Sequence, residues 1–299
     1  MKRRDVYREV TERIIQALED GVGPWVRPWY SRTEHRNAFS GRPYRGINVL
    51  LLSLTSMERG FFSPLWLTYR EAKRLGGHVR KGQTGTTVVF WKILEVPEVD
   101  PEGLPVFDAD TGEQRVVRIP FLRHYTVFNV EQCEGLRLRF EVAEPEEAES
   151  STFELADRIL ALPKIRWGEN ACYFPEKDMI VLPPKSRFTV PASFYSTALH
   201  ETVHWTGHPT RLNRAFGKRF GDLAYAFEEL VAEMGSAFLG AHTGIPFDQV
   251  QHPEYINSWI TVLKGDRKAI FTAAREAQRA CDWLLEKAGV RAPTEELAA

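Results

Sequence analysis

Apolar residues recur at every fourth position near the start of the chain, Val6, Val10, Ile14 and Leu18. That spacing lays one hydrophobic stripe along an amphipathic helix, which Gly21-Val22-Gly23-Pro24 ends. Two more short helices are predicted over residues 48–54, continued by Met57, and over 69–75, where Gly76-Gly77 stops the second. The pattern then changes. Residues 86–94 form a β-branched and aromatic run and 119–127 a second one, so both read as strands. The Pro, Gly and Asp content of 99–112 marks an exposed loop between them.

Periodicity vanishes over residues 141–150, which hold five Glu and one Pro. An acidic linker over 141–151 is therefore expected between an N-terminal domain, 1–140, and a C-terminal domain, 152–299. Beyond it the pattern predicts a helix over 152–162 and a hairpin whose strands, 172–174 and 179–182, flank Pro175-Glu176-Lys177-Asp178. A helix then begins near Pro191 and ends at Gly207 and Pro209, and another covers about 223–239. Helices and strands in two separate blocks indicate an α+β chain of two domains.

Composition narrows the class. With 299 residues, 43% hydrophobic and 26% charged, the chain has the make-up of a globular protein and not of a fibrous or disordered one. No apolar run approaches 18 residues, and none follows Met1-Lys2-Arg3-Arg4, so neither a membrane span nor a signal peptide is expected, and no membrane partner. Cys133, Cys172 and Cys281 are odd in number and widely spaced, which suits a reducing, cytoplasmic setting. The net charge of -1 conceals an asymmetry: residues 1–92 carry 17 Lys+Arg against 8 Asp+Glu, and the remainder 22 against 32. A positive N-terminal third is the footprint of a phosphate-backbone binder, although a merely solvated basic surface has the same composition.

The chemistry is concentrated in His200-Glu201-Thr202-Val203-His204. On a helix, positions i and i+4 share a face, so both imidazoles reach one metal ion while Glu201 addresses a water bound to it. A catalytic zinc site generally takes three protein ligands and keeps one position open. The metzincin arrangement fails, because Thr210 stands where its third histidine belongs. On a continuous helix His208 would lie about 12 Å along the axis from His200, too far for shared coordination. Downstream, Phe227-Glu228-Glu229-Leu230-Val231-Ala232-Glu233 places Glu229 and Glu233 on one helical face. This E-x-x-x-E resembles the gluzincin pattern, and the resemblance implies Glu229 as third ligand and Glu233 as hydrogen-bond partner of a metal-bound histidine, with Glu228 as the fallback ligand. The expected ion is Zn²⁺, with Mn²⁺ as the alternative, and the expected chemistry is peptide hydrolysis with Glu201 as general base. The strand 179–182 is expected to be the edge to which an extended substrate adds. Tyr255 is a candidate oxyanion stabiliser; neither it nor His252 has a supporting pattern around it.

In the N-terminal block, basic side chains alternate with glycines and aromatics in three patches, around Trp25, Arg27 and Trp29, from Arg36 through Arg42, Tyr44, Arg45 and Asn48, and over His78, Arg80 and Lys81. Such loops follow phosphates while rings stack on exposed bases, which suits single-stranded DNA ahead of duplex DNA. The same aromatics also suit a core.

Several longer segments carry a resemblance. Gly-Val-Gly-Pro-Trp (21–25), Arg-Asn-Ala-Phe-Ser-Gly-Arg-Pro-Tyr-Arg-Gly-Ile-Asn (36–48), Leu-Gly-Gly-His-Val-Arg-Lys-Gly (75–82) and Val-Phe-Asn-Val-Glu-Gln (127–132) resemble the N-terminal domain of the ArdC antirestriction proteins and related plasmid primase accessory proteins. His-Glu-Thr-Val-His-Trp-Thr-Gly-His (200–208), Tyr-Ala-Phe-Glu-Glu-Leu-Val-Ala-Glu (225–233) and Tyr-Ile-Asn-Ser-Trp-Ile (255–260) resemble the zincin-like domain of the same family. The resemblance implies a single-stranded-DNA-binding α/β domain followed by a gluzincin-like metallopeptidase domain. It also implies carriage on conjugative plasmids and protection of incoming DNA from host restriction, with a DNA-bound host protein such as a restriction enzyme as the expected substrate. The competing expectation is a non-catalytic DNA-coating protein whose metal site is structural or vestigial.

Overall fold

The computed structural model describes residues 5–25, 34–138, 153–216, 222–245 and 255–290. The acidic segment 141–151, Arg27, Trp29 and His252 lie outside the described residues.

Helix α1 spans Val6–Glu19, opened by the Asp5 carboxylate accepting from the Arg8 amide at 3.2 Å, and its apolar stripe is buried as the four-residue spacing requires. Strand β1 (Arg36–Asn37) precedes α2 (Ile47–Arg59), which is longer than its sequence pattern because Gly60, at φ 67°, is what closes it. Next come β2 (Leu65–Thr68) and α3 (Tyr69–Arg74), the latter started by a reciprocal cap in which Thr68 and Glu71 each satisfy the other's backbone amide. After β3 (His78–Val79), the strands β4 (Thr86–Pro97) and β5 (Val116–Asn129) form one long antiparallel hairpin in register from Thr86↔Val127 to Pro97↔Val116. Residues 99–112 form its tip, as the loop composition predicts, with isolated bridges Val99↔Pro105 and Phe107↔Gln114. Strand β6 (Cys133–Glu134) pairs with β3. The larger sheet has the order β1-β2-β5-β4.

The second half starts with α4 (Glu154–Leu160) and a three-stranded sheet of β7 (Lys164–Trp167), β8 (Cys172–Phe174) and β9 (Met179–Leu182), ordered β7-β9-β8. The expected edge role of residues 179–182 is therefore wrong. Strand β7, too short and too exposed to announce itself in the pattern, pairs in parallel with β9 and makes it the central strand. The edges are β7 and β8. Among the described residues four α-helices follow: α5 (Pro191–Thr206), α6 (Leu223–Thr243), α7 (Ile256–Gly265) and α8 (Ala269–Lys287). No described helix is long and apolar enough to cross a membrane.

One hydrophobic cluster runs through both halves, joining Ile14, Leu18, Trp25 and Leu50 to Leu199, Leu230, Trp259 and Leu284. Polar contacts reinforce the seam. The Thr11 hydroxyl donates to the Arg267 carbonyl at 2.7 Å, the Lys264 ammonium meets Glu19 at 2.8 Å, the Gly46 amide donates to Gln278 at 3.0 Å, and Arg45 pairs with Asp282.

Candidate metal centre

Helices α5 and α6 lie side by side, and the approach depends on Gly235, where an added Cβ would stand 2.9 Å from Val203 Cγ1. This contact turns the His200/Glu201/His204 face of α5 onto the Glu228/Glu229/Glu233 face of α6, and all six side chains are buried. The His200 and His204 Nε2 atoms are 3.1 Å apart. Glu229 Oε2 lies 3.3 Å from His200 Nε2, and its Oε1 lies 3.5 Å from His204 Nε2. A tetrahedral ion with bonds of about 2.0–2.2 Å sets its ligand atoms roughly 3.3–3.6 Å apart; the three residues bring one ligand atom each to within 4.8 Å of one another, a triangle of the size such a site draws together, with Glu229 turning one oxygen to each imidazole.

The outer ring nitrogens are also committed. His200 Nδ1 faces Glu233 Oε2 at 3.5 Å and His204 Nδ1 faces Glu228 Oε1 at 3.2 Å. An ionised carboxylate only accepts, so both imidazoles carry their proton on Nδ1 and direct Nε2 at the shared point. Two lone pairs at that separation repel each other unless a cation or protons sit between them. Burial by itself presses the His200 and His204 pKa values down. The carboxylates outweigh it, with Glu229 and Glu233 raising His200 to about 10 and Glu228 and Glu229 raising His204 to about 9. Burial likewise opposes ionisation of Glu229, yet hydrogen bonds from His200 and His204 hold its carboxyl far below the usual carboxylate range. The donor set therefore fits a divalent cation, for which protons are the stand-in.

Glu228, the fallback ligand, faces away from the triangle and steadies His204 instead. It is gripped by Arg214, whose Nε donates to Oε2 at 2.9 Å and Nη2 to Oε1 at 2.7 Å. The same guanidinium donates to the Val203 carbonyl at 2.7 Å and the Thr206 hydroxyl at 2.8 Å, tying Glu228 to the end of α5. Glu233 accepts from the indole of Trp25, 3.3 Å away and from the other half of the chain. Sequence reasoning missed both supports, since nothing in local spacing links residue 214 or 25 to α6.

Glu201 follows His200 on the same buried turn of α5, and the edge strand β8, with Cys172, packs against that helix. Strand β8 thus borders the site. Tyr255 stacks on Trp259 and donates to the Tyr225 hydroxyl at 3.4 Å. Tyr225, one helical turn before Glu229, interacts with that carboxylate, and burial, with the Glu229 charge beside it, raises its pKa so that it stays protonated. The i, i+4 spacing of Tyr225 and Glu229 was the available signal for it. His208 pairs with the Thr210 hydroxyl at 2.8 Å and stays out of the cluster.

Of the residues expected to contact DNA, two are corrected. Asn48 is buried and pins α2 to β4, donating to the Val89 carbonyl and accepting from the Val89 amide, each at 2.7 Å. Tyr44 is buried in a small cluster with Leu52, Trp66, Val88 and Val127. Arg45 spends its charge on Asp282 and Arg36 pairs with Glu34 at 2.6 Å. Arg80 holds the Glu131 carbonyl at 2.8 Å, while His78 and Lys81 are exposed beside it.

Residues 4–128 match the model of the N-terminal domain of the anti-restriction factor ArdC, and residues 154–276 match the zincin-like metallopeptidase domain. The DNA primase TraC of Escherichia coli is 39% identical over 95% of this chain, which spans 27% of that protein, and a second TraC is 36% identical, with 20% of its length covered. Relatives of similar length are the uncharacterized protein y4eC of Sinorhizobium fredii, 35% identical over 94% of this chain and 91% of that one, and the antirestriction ArdC protein of plasmid R388. The metal-free crystal structure of the latter superposes with a TM-score of 0.77 at 40% identity, covering 97% of this chain and 100% of that one; the Mn(II)-bound structure gives 0.76 at 38%, covering 95% and 98%. With both halves matched and a relative of known structure aligned over its whole length, the chain belongs to the ArdC family of antirestriction proteins.

Proposed function

We propose that this chain is an antirestriction protein of a mobile element that binds single-stranded DNA through its basic N-terminal half and hydrolyses peptide bonds at a divalent-metal centre held by His200, His204 and Glu229. The observation that carries the reading is the buried triangle of donor atoms, with a carboxylate behind each imidazole. Zn²⁺ is the expected ion, with Mn²⁺ the alternative, since two imidazoles and a carboxylate serve both. When bound, the ion supplies Lewis acidity toward a scissile carbonyl and toward a water molecule. Glu201 takes the proton of that water and returns it to the departing amine. Tyr225, kept protonated and backed by the hydrogen bond from Tyr255, turns its hydroxyl from Glu229 to the oxygen on which charge develops. An extended substrate lies along β8, the edge beside the site, and a protein encountered on DNA is the substrate class that joins the two halves. Arg42, His78, Arg80 and Lys81 supply the phosphate contacts.

Glu201→Ala tests the reading, because it removes the base and leaves every proposed ligand in place. The variant is expected to retain one divalent ion per chain and to lose protection of incoming DNA in a conjugation assay against a restricting host. Full protection by the metal-loaded variant refutes hydrolysis and leaves DNA coating as the function.

A further inference from the structure

The two histidines are steadied from different parts of the molecule. His204 leans on Glu228 and Arg214, both within the C-terminal half, whereas His200 leans on Glu233, which accepts from Trp25 of the N-terminal half. Trp25 is not a passing contact. It is 2% exposed, packs edge-on against Trp259 with ring centroids 5.3 Å apart, and belongs to the shared core. Its place is fixed from upstream as well: Gly21, at φ 76°, turns the chain off α1, the Val22 amide donates back to the Ala17 carbonyl at 2.8 Å, and α1 is tied to the far end of α7 through Lys264 and Glu19.

We propose that Trp25 is a positioning residue of the metal centre, acting through Glu233 on His200, so that the N-terminal half completes the coordination site of the C-terminal half. The chemistry suits the task. An indole is a donor only and carries no charge. It orients one oxygen of Glu233 without neutralising the carboxylate, whose other oxygen faces His200 Nδ1 at 3.5 Å and keeps Nε2 turned to the ion. A lysine or arginine here would hold Glu233 more tightly and drain the negative charge that makes the imidazole a better ligand.

This inference rests on the ligand set proposed above, and one titration separates the two. Mn(II) binding to the full chain is measured by the loss of the free-ion electron paramagnetic signal for the wild type, Trp25→Phe, Glu233→Gln, the double variant, Trp259→Phe and His200→Ala. Trp25→Phe keeps an aromatic ring and removes the N–H, and it is expected to weaken binding about 10- to 100-fold, the range for partners behind a ligand. In the Glu233→Gln background the same substitution is expected to add nothing, and Trp259→Phe, which trims the same aromatic contact without touching Glu233, is expected to bind as the wild type does. Wild-type affinity in Trp25→Phe, or an equal loss in both backgrounds, overturns the role of Trp25 alone. Undiminished binding in His200→Ala overturns the ligand set, and this proposal with it. Should Trp25→Phe not fold, the indole ¹⁵N–H resonances of the wild type answer instead. One of the eight tryptophans is expected to shift both on Glu233→Gln and on Zn(II) addition, and no such resonance means the contact is without consequence.

Discussion

Replacing Arg214 by Met removes the deepest cation of the metal centre while keeping most of the volume of its stem. Arg214 is 5% exposed in its side chain, and its partner Glu228 is 4% exposed. The substitution deletes two hydrogen bonds to that carboxylate, one to the Thr206 hydroxyl and one to the Val203 carbonyl. Truncating one member of a buried ion pair costs about 3–5 kcal/mol, because the surviving charge stays buried and unpaired. His204 offers Glu228 partial compensation, so the lower end, about 3 kcal/mol, is expected for the metal-free protein in urea unfolding. Burial presses the Glu228 pKa upward and Arg214 is the first of the groups that hold it down. Without Arg214 the carboxyl takes up a proton more readily, and the His204 Nδ1–H loses its anionic acceptor. Glu228→Gln in the same chain removes the stranded charge and is expected to restore most of the stability but not the metal affinity. A loss below about 1 kcal/mol for Arg214→Met, the value typical of an exposed pair, refutes the account of Arg214 as the anchor of Glu228.

Further outcomes follow from the same geometry. The imidazoles, raised to about 10 and about 9 from the ordinary 6.5 or so, stabilise the metal-free fold fully below about pH 6.5 and lose that contribution as pH climbs through 9 to 10. The Tm of the chelated protein is therefore expected to fall across that range, while metal affinity rises with pH because the ion displaces those protons; a flat Tm from pH 7 to about 10 counts against it. Asn48→Ala is expected to cost about 1–3 kcal/mol by stripping two buried backbone partners at Val89, with single-stranded DNA affinity of the folded variant unchanged. In contrast, Lys81→Ala is expected to leave Tm alone and to reduce the salt dependence of DNA binding by nearly one phosphate contact in a fluorescence anisotropy titration.

What could be read from the sequence was whatever depends on spacing along one element. His200 and His204, or Glu229 and Glu233, share a helical face by period alone, and the run 86–94 reveals its strand by composition. The distinction between Glu228 and Glu229 was not accessible in this way, because adjacent residues differ by about 100° around the helix and only the seating of α6 on α5 decides which one meets both Nε2 atoms. Strand β7 was missed because Lys-Ile-Arg-Trp carries one apolar residue on its buried face, and that omission displaced β9 from the centre of its sheet to the edge. Asn48 and Tyr44 looked like DNA contacts because polar and aromatic side chains near arginines serve equally well as hydrogen-bonded pins and core rings. Arg214 and Trp25 reach the metal centre through space, across 14 and 208 residues of chain from their partners.

The core shared by α1, α2 and the last helices has a consequence for how the protein is made. A ribosome delivers the basic half first, yet the Thr11 hydroxyl of α1 meets the Arg267 carbonyl, and the stripe of α1 its neighbours on α7 and α8, only when more than 260 residues have been synthesised. The side of α1 that packs on α7 and α8 is therefore without those neighbours for most of translation, and the indole of Trp25 has no Glu233 to meet until α6 has been made. On the ligand set proposed above, a chain cut short after α5 carries His200 and His204 but lacks Glu229 and the carboxylates that orient the two rings, and is expected to hold the ion only weakly.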